Sequence, residues 1–288
     1  MKKKPTLAVL FGGNSPEYSV SLQSAYAVLT NLDGEKYHIL PLGITQTGRW
    51  YLYSGAYEHI ATDTWAEALD HLTPVAVSPD PAVHGLLALF PHENRVIPLD
   101  CALPILHGAN GEDGTVQGLL ELIGAPIIGC GALSSALCMD KDRAHKLAAL
   151  AGVRVPRSRL FPEDCAFEEL RTAAETLGWP LFVKPVRAGS SFGVSRVEEP
   201  AQLAPAVEAA FRHDGEILLE EAIPGFEVGC AVLGNRELTV GAVDEVELSR
   251  GFFNYTEKYT LQTSAIHCPA RIAPQKAAEI RETAKVLY

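Results

Sequence analysis

Short apolar runs alternate with helix-type spacings along the first part of the chain. The runs have the length of buried strands, and the segments between them place apolar side chains three and four residues apart. This alternation predicts a doubly wound α/β domain over residues 1–128, with ligands at the carboxyl ends of its strands. The predicted strands cover 7–11, 37–44, 101–106 and 125–128, and the predicted helices cover 21–31 and 114–123.

The remaining sequence predicts a central domain over 129–218 and a last domain over 219–288. Residues 245–268 show no clear period, and a stretch of that length predicts a functional lid. Helices are predicted over 140–151, 167–177, 202–212 and from 271 onward. Strands are predicted before the loop at 189–193, over 194–197 and 217–221, and as an antiparallel pair over 227–232 and 237–243.

The segment 182–193 carries the most informative chemistry. An apolar strand ends at Lys184, and a loop containing glycines, Ser190 and Ser191 follows. An ammonium, two hydroxyls and backbone N–H groups freed by glycine suit a polyphosphate. The spacing is not that of a P-loop, and a glycine hairpin beside a solvated lysine would also explain it.

Other polar positions allow two interpretations each. Residues 107–114 hold a histidine, three glycines and two acids, which suit a carboxylate ligand or an ordinary helix start. Glu17 could bind an ammonium and Lys141 a phosphate, or both could be solvated helix residues. Glu220 and Glu227 could accept ribose hydroxyls, or they could form the polar edge of a strand.

Composition narrows the class of protein. The 288 residues are 47% hydrophobic and 20% charged, as in a globular protein, and the net charge of −11 argues against binding nucleic acid. The apolar runs are too short to cross a membrane or to form a signal peptide. Six cysteines without paired or metal-binding spacing predict mostly buried thiols, no structural metal and a cytoplasmic location.

Several motifs together resemble one family, the D-alanine–D-alanine ligases of the ATP-grasp superfamily. The motifs are Gly12-Gly13-Asn14-Ser15-Pro16-Glu17-Tyr18-Ser19-Val20-Ser21-Leu22, the 107–114 block with Gln117-Gly118, Ser135-Ala136-Leu137 with Met139-Asp140-Lys141, the 184–193 block, and Glu257-Lys258-Tyr259. The resemblance implies an ATP-grasp domain pair after the first domain. It also implies a ligase that phosphorylates the carboxylate of one D-alanine with ATP, after which a second amino acid attacks the acyl phosphate.

The resemblance assigns roles to individual residues. Glu17 would hold the first ammonium and His107 would lie near the substrate carboxylates. Ser190 and Tyr259 would join Glu17 in a network that closes the lid, and Lys258 would reach the γ-phosphoryl group. The remaining ATP contacts would come from Lys141, Lys184 and Ser191 at the phosphates and from Glu220, Ala222, Ile223 and Glu227 at adenine and ribose.

The lid sequence refines the subtype. Ligases that form D-alanyl-D-lactate place a histidine where this chain has Lys258 and Tyr259. Phe253 stands where D-alanine–D-alanine ligases usually have tyrosine, so it is assigned to the substrate site. The chain resembles the D-alanine–D-serine ligases of vancomycin resistance, particularly type G, which act in peptidoglycan precursor synthesis. A D-alanine–D-alanine ligase of ordinary cell-wall synthesis is the alternative.

The resemblance implies that the family's Mg²⁺ ligands, an arginine and the second-substrate pocket follow beyond Tyr288, so the last ATP-grasp domain is expected to be truncated and no metal ligand is assigned within this chain. The 288-residue chain alone is therefore expected to be inactive, because the metal neutralises the β and γ oxygens. The alternatives are a remnant that only binds nucleotide or amino acid, another ATP-grasp enzyme, and an NAD-dependent oxidoreductase. The resemblance also suggests a homodimer formed through the first domain.

Overall fold

The computed structural model describes residues 3–90, 93–248 and 264–288. Contacts divide the chain into two compact units, Met1–Met139 and Asp140–Tyr288. A division into three domains, at 128 and 218, stays a prediction. Across the described ranges, no helix has both the length and the apolar character needed to span a bilayer.

A seven-stranded mixed sheet forms the centre of the first unit. Its strands are β1 (Thr6–Gly12), β2 (His38–Ile44), β3 (Trp50–Tyr53), β4 (Leu72–Val77), β5 (Gly85–Leu89), β6 (Asn94–Pro98) and β7 (Cys101–Pro104). β1 runs parallel to β2 on one side and to β7 on the other. From β2 the sheet continues as an antiparallel meander through β3, β4, β5 and β6.

Helices cover both faces of this sheet, which explains the unbroken apolar run of β1. The helices of the unit are α1 (Tyr18–Asn31), α2 (Glu58–Ala61), α3 (Thr115–Leu122) and α4 (Ala132–Met139). Ala8 and Leu10 pack into one core with α3, while Val9 and Phe11 pack into a second core with α1. Because successive strand residues point to opposite faces, a strand covered on both sides is apolar at every position. The predicted two-sided α/β domain is confirmed.

The sheet is nevertheless larger than the sequence pattern predicts. The strands β3 to β6 have only four to six residues. β6 is mostly exposed, whereas β3 and β5 are largely apolar and the sequence prediction missed them. The predicted strand at 125–128 is wrong, since a single bridge joins Ala102 to Ile127. Pro126 has no N–H to donate, which limits any ladder at this position.

A buried hydrogen-bond chain links α1 to the segment after α2. Trp65, which is fully buried, donates its Nε1–H to the Tyr18 hydroxyl over 2.9 Å, and that hydroxyl donates to Asp63 Oδ1 over 3.0 Å. Burial raises the pKa of Tyr18 well above its usual range. Tyr18 therefore acts as a neutral hydroxyl that satisfies an indole N–H inside the core.

Replacing Tyr18 by phenylalanine is expected to lower the free energy of unfolding by about 1–3 kcal/mol, because the Trp65 N–H becomes buried without an acceptor. Urea denaturation of the two proteins measures the difference. Tyr26→Phe on the same helix is the control, since Tyr26 is only half-buried and its loss should stay within about 0.5 kcal/mol. Equal losses for the two variants would contradict this role of Tyr18.

The second unit contains a four-stranded and a three-stranded antiparallel sheet. The first has the order β10-β9-β11-β8, and the second has the order β12-β13-β14. Its strands are β8 (Ser158–Pro162), β9 (Leu181–Pro185), β10 (Ser195–Val197), β11 (Glu216–Glu221), β12 (Glu227–Gly234), β13 (Leu238–Leu248) and β14 (Ser264–His267). Its helices are α5 (Lys141–Leu150), α6 (Phe167–Leu177), α7 (Leu203–Phe211) and α8 (Pro274–Leu287).

The predicted hairpin of β12 and β13 is confirmed, but the irregular segment predicted at 245–268 is wrong at both ends. β13 extends to Leu248, and β14 pairs with it. Glu245 and Glu247 alternate with apolar residues in β13, and Arg271 forms ion pairs with both carboxylates. Because these charged residues interrupt the apolar pattern, the sequence alone does not predict that the strand continues to Leu248.

The cysteines also differ from the prediction of mostly buried thiols. Three of them are half-buried and three are exposed. The half-buried ones are Cys101, Cys165 and Cys230, and the exposed ones are Cys130, Cys138 and Cys268.

Candidate active site

Two turns lie side by side at the carboxyl ends of the parallel strands β1 and β7, as the sequence predicts. Ser15 in the first turn donates its hydroxyl to His107 O over 2.7 Å. Asn110 in the second turn donates its Nδ2–H to Asn14 O over 3.0 Å. These bonds bring together the segments that carry Glu17 and His107, two of the predicted site residues.

Glu17 is held against the second turn. Its side chain is almost completely buried, with the residue 3% exposed, and its backbone N–H donates to Ser15 Oγ over 2.9 Å. A Cβ at Gly108 would contact the Glu17 carboxylate, so only glycine fits there, at a φ of +71°. A carboxylate with so little access to water interacts strongly with an ammonium group. The position suits the predicted role in amine binding.

The imidazole of His107 has a partner that sequence reasoning missed. Ser24 Oγ lies 3.1 Å from His107 Nε2. Ser21, three residues earlier on α1, donates its hydroxyl to Ile105 O. Residues three apart share a helix face, so the Ser21 and Ser24 spacing beside the glycine turn is a signal that could have found this pair.

In the second unit, strand alternation separates a core face from a polar face. Leu181 and Val183 of β9 pack with α6 and α7 in one core, so Phe182 and Lys184 lie on the opposite face. Glu220 of β11 is in register with Phe182, which makes it a diagonal neighbour of Lys184 on that face. The fold therefore brings two predicted ATP-binding residues together although they are 36 positions apart in the chain.

Lys184 and Glu220 form a short ion pair. The Lys184 ammonium donates to Glu220 Oε1 over 2.5 Å, and it lies 5.1 Å from the centre of the Phe182 ring. The Glu220 side chain is 8% exposed and that of Lys184 is 22% exposed. A pair with this little access to water is screened much less by salt than a surface pair.

The Lys141 ammonium lies at the end of β9, beside the loop at residues 189–193, here called the serine loop. Asp140 caps α5 by accepting the Arg143 N–H over 2.9 Å. The Lys141 ammonium donates to Val186 O over 3.2 Å and to Ala188 O over 2.7 Å. The start of α5 thus places a second cation where β9 passes into the loop.

The serine loop adopts a conformation that side chains rarely allow. Ser190 and Ser191 have φ values of +46° and +61°. Such values are uncommon outside glycine and concentrate at functional sites, and concave runs of backbone N–H groups bind anions. Gly193 is confined too, because a Cβ there would lie 2.6 Å from the His213 ring. The loop supports the predicted phosphate contact.

The predicted nucleoside contacts follow directly after β11. Ala222 donates its N–H to Pro180 O over 3.3 Å, which leaves its carbonyl as the group available to a base. Ile223 is 64% exposed, and Glu227 begins β12 with an exposed side chain. The three remaining predicted residues, Phe253, Lys258 and Tyr259, lie outside the described part of the chain.

Two sequence families match this chain almost end to end. Residues 6–130 match the family described as the D-ala D-ala ligase N-terminus, and residues 149–288 match the D-ala D-ala ligase C-terminus. The chain belongs to the D-alanine–D-alanine ligase family. Enzymes of this family are ATP-dependent ligases of D-alanine, which confirms the resemblance found in the motifs.

Individual relatives cover nearly all of this ligase. The VanG D-Ala:D-Ser ligase of Enterococcus faecalis is 53% identical, with a TM-score of 0.90 over 99% of this chain and 82% of its own. A protein of Streptomyces coelicolor assigned as a D-alanine–D-lactate ligase is 44% identical over 98% of this chain and 80% of its own. A D-alanine–D-alanine ligase of Caldicellulosiruptor bescii is 40% identical over 99% and 78%. None of these matches supports the expectation that the 288-residue ligase is inactive.

The second unit of the ligase also fits a nucleotide on structural grounds. Glu220 Oε2 is buried and has no hydrogen-bond partner among the described residues, so a donor from a ligand would satisfy it. Within the same described ranges, no group of three or more His, Cys, Asp or Glu side chains could hold a metal ion.

Proposed function

We propose that this ligase joins D-alanine to D-serine. The observation that carries the proposal is its 53% identity and TM-score of 0.90 with the VanG D-Ala:D-Ser ligase. Identity is lower to the D-lactate and D-alanine ligases among its relatives, at 44% and 40%. Lys258 and Tyr259, in place of a lid histidine, disfavour the D-lactate ester, and Phe253 departs from the tyrosine of D-alanine ligases.

The first unit would bind the first D-alanine. Glu17 would hold the ammonium group, and His107, oriented by Ser24, would lie near the substrate carboxylates. Ser190 and Tyr259 would complete the network around Glu17. In the proposed reaction the carboxylate takes the γ-phosphoryl group of ATP and releases ADP. The amine of D-serine then attacks the carbonyl carbon of the acyl phosphate, loses a proton and releases phosphate. Such steps depend on positioning and on neutralising charge.

The second unit would bind ATP. Lys141 and Lys184 would neutralise the phosphates, the N–H groups around Ser191 would cover them, and Lys258 would approach the γ-phosphoryl group. Mg²⁺, expected for this family, supplies further neutralisation of the β and γ oxygens when bound. The adenine and ribose contacts would come from Glu220, Ala222, Ile223 and Glu227.

The proposed product is a dipeptide for peptidoglycan precursors that lowers glycopeptide binding. We infer a cytoplasmic location, because the reaction consumes ATP. The homodimer formed through the first unit stays a prediction, which sedimentation of the purified chain would test.

The second substrate can be identified by competition. With ATP, Mg²⁺ and equal concentrations of D-alanine and D-serine, we expect the mixed dipeptide to exceed D-alanyl-D-alanine by about tenfold or more, since one well-placed polar contact discriminates by that factor. Chromatography of the products with mass detection measures the ratio. A dominant D-alanyl-D-alanine product would instead establish the D-alanine–D-alanine ligase.

A control with D-lactate tests the lid argument separately. Replacing D-serine by an equal concentration of D-lactate should give no detectable ester, because the lid carries Lys258 and Tyr259. Ester in amounts similar to dipeptide would contradict that assignment. If ADP binds but no product forms with any of the three acceptors, the proposal of ligase activity for this chain is wrong.

A further inference from the structure

His145 lies on α5, one helical turn after Lys141, and points toward the Lys184–Glu220 pair. Its Nε2 atom is 3.7 Å from Glu220 Oε2, and its side chain is 25% exposed. Its other ring nitrogen, Nδ1, is buried and has no hydrogen-bond partner in the described part of the chain. No role follows for this histidine from the motifs that identify the family.

The position of His145 matters because of Oε2, the carboxylate oxygen of Glu220 that lies nearest to it. Glu220 is 6% exposed, and Lys184 occupies its Oε1. Oε2 has no hydrogen-bond donor among the described residues. Leaving a buried polar atom without a partner is costly, so Glu220 Oε2 is suited to a donor that arrives with a ligand.

The distance between the two groups places His145 just outside hydrogen-bonding range. An N–H donor bonds a carboxylate at about 2.7–3.2 Å, so a movement of about half an ångström would join Nε2 to Oε2. The helix that carries His145 also carries Lys141, which donates to the carbonyls at the end of β9. The same helix thus contributes both a predicted phosphate contact and the imidazole beside Glu220.

We infer that His145 is a positioning residue of the nucleotide site. Its Nε2–H bonds one lone pair of Glu220 Oε2, and the second lone pair of that oxygen accepts a hydrogen from the exocyclic amine of the purine. Lys184 and His145 thus hold the acid from two sides, and the acid selects adenine over a purine that carries an oxygen at that position. The inference rests on the nucleotide site proposed above and adds to it the residue that sets base selectivity.

Binding of ADP and of IDP, measured by calorimetry, tests the inference, because IDP has an oxygen in place of the amine. We expect His145→Leu, which has no donor, to weaken ADP binding by about fivefold to tenfold, the effect of one ordinary hydrogen bond, and to change IDP binding less than twofold. His145→Gln places an amide nitrogen near the position of Nε2, so it should bind ADP within about threefold of the unsubstituted chain.

Equal weakening of ADP and IDP in His145→Leu, or unchanged ADP binding, would overturn the inference and leave the nucleotide site intact. Absence of ADP binding to the unsubstituted chain would overturn the nucleotide site itself, and the inference with it. NMR of the imidazole ¹⁵N signals tests the inference on the unsubstituted chain, without the leucine variant. Addition of ADP should shift the Nε2 signal of His145, addition of IDP should shift it far less, and equal shifts would again overturn the inference.

Discussion

Replacing Lys184 by methionine is expected to weaken ADP binding by at least about a hundredfold and to lower the free energy of unfolding by about 3–5 kcal/mol. The variant removes the ammonium that we assign to the phosphates. It also leaves the Glu220 carboxylate, 8% exposed, without its 2.5 Å partner. A buried charge that loses its partner destabilises a fold more than the intact pair stabilises it. Calorimetry with ADP and urea denaturation measure the two effects.

A double variant separates binding from stability. Lys184→Met combined with Glu220→Leu replaces the pair by apolar side chains, a change that is often close to neutral for buried pairs. We therefore expect the double variant to regain most of the lost stability and still not to bind ADP. Recovery of ADP binding together with stability would show that Lys184 serves the fold alone.

Lys146→Met is the matched control for the same substitution. Lys146 pairs with Asp142 over 2.6 Å, but its side chain is 67% exposed. The Asp142 side chain is itself only 11% exposed, but the Lys146 ammonium lies largely in water, so this variant should lose less stability than Lys184→Met and retain ADP binding. An ADP affinity of Lys184→Met within threefold of that of Lys146→Met would contradict the phosphate assignment.

The sequence predicts those parts of the fold in which each element has its own local signal. The strand β1 is apolar without interruption from Leu7 to Phe11 because both of its faces are covered, and α6 has the same bounds, Phe167–Leu177, as the helix predicted from spacing. The strands β3 to β6 escape prediction although β3 and β5 are largely apolar, because a run of four or five apolar residues does not by itself distinguish a strand from other buried structure. Pairing with neighbouring strands, which the linear pattern does not contain, stabilises them.

The candidate site is likewise predicted only where a residue has a local signal in the sequence. Glu17, Lys141 and Lys184 are found from local motifs, because each stands beside a turn or a strand end. The contacts that orient them are long-range: Glu220 meets Lys184 only through strand register, and His145 meets Glu220 through the packing of α5. A single sequence, taken by itself, carries no direct signal for pairs of this kind.

Replacing Gly108 by alanine is expected to reduce kcat/KM for the first D-alanine by about a hundredfold or more, because a small displacement of a positioning group has effects of this size. The added Cβ would contact the Glu17 carboxylate and would lie 2.9 Å from Ser15 Oγ. Ser15 is the hydroxyl that joins Glu17 N–H to His107 O, so both predicted substrate contacts would move together. Release of ADP at varied D-alanine concentration measures the change.

Gly48→Ala distinguishes this displacement from backbone strain. Gly48 has a φ of +80°, close to the +71° of Gly108, but a Cβ there would meet nothing within 4 Å. Both substitutions therefore force alanine into the left-handed region, at a similar cost of about 1 kcal/mol in stability. Only Gly108→Ala also pushes on Glu17, so only that variant should lose activity. If the two variants lose activity equally, the Glu17 carboxylate does not bind the first substrate in the way that its burial against Gly108 implies.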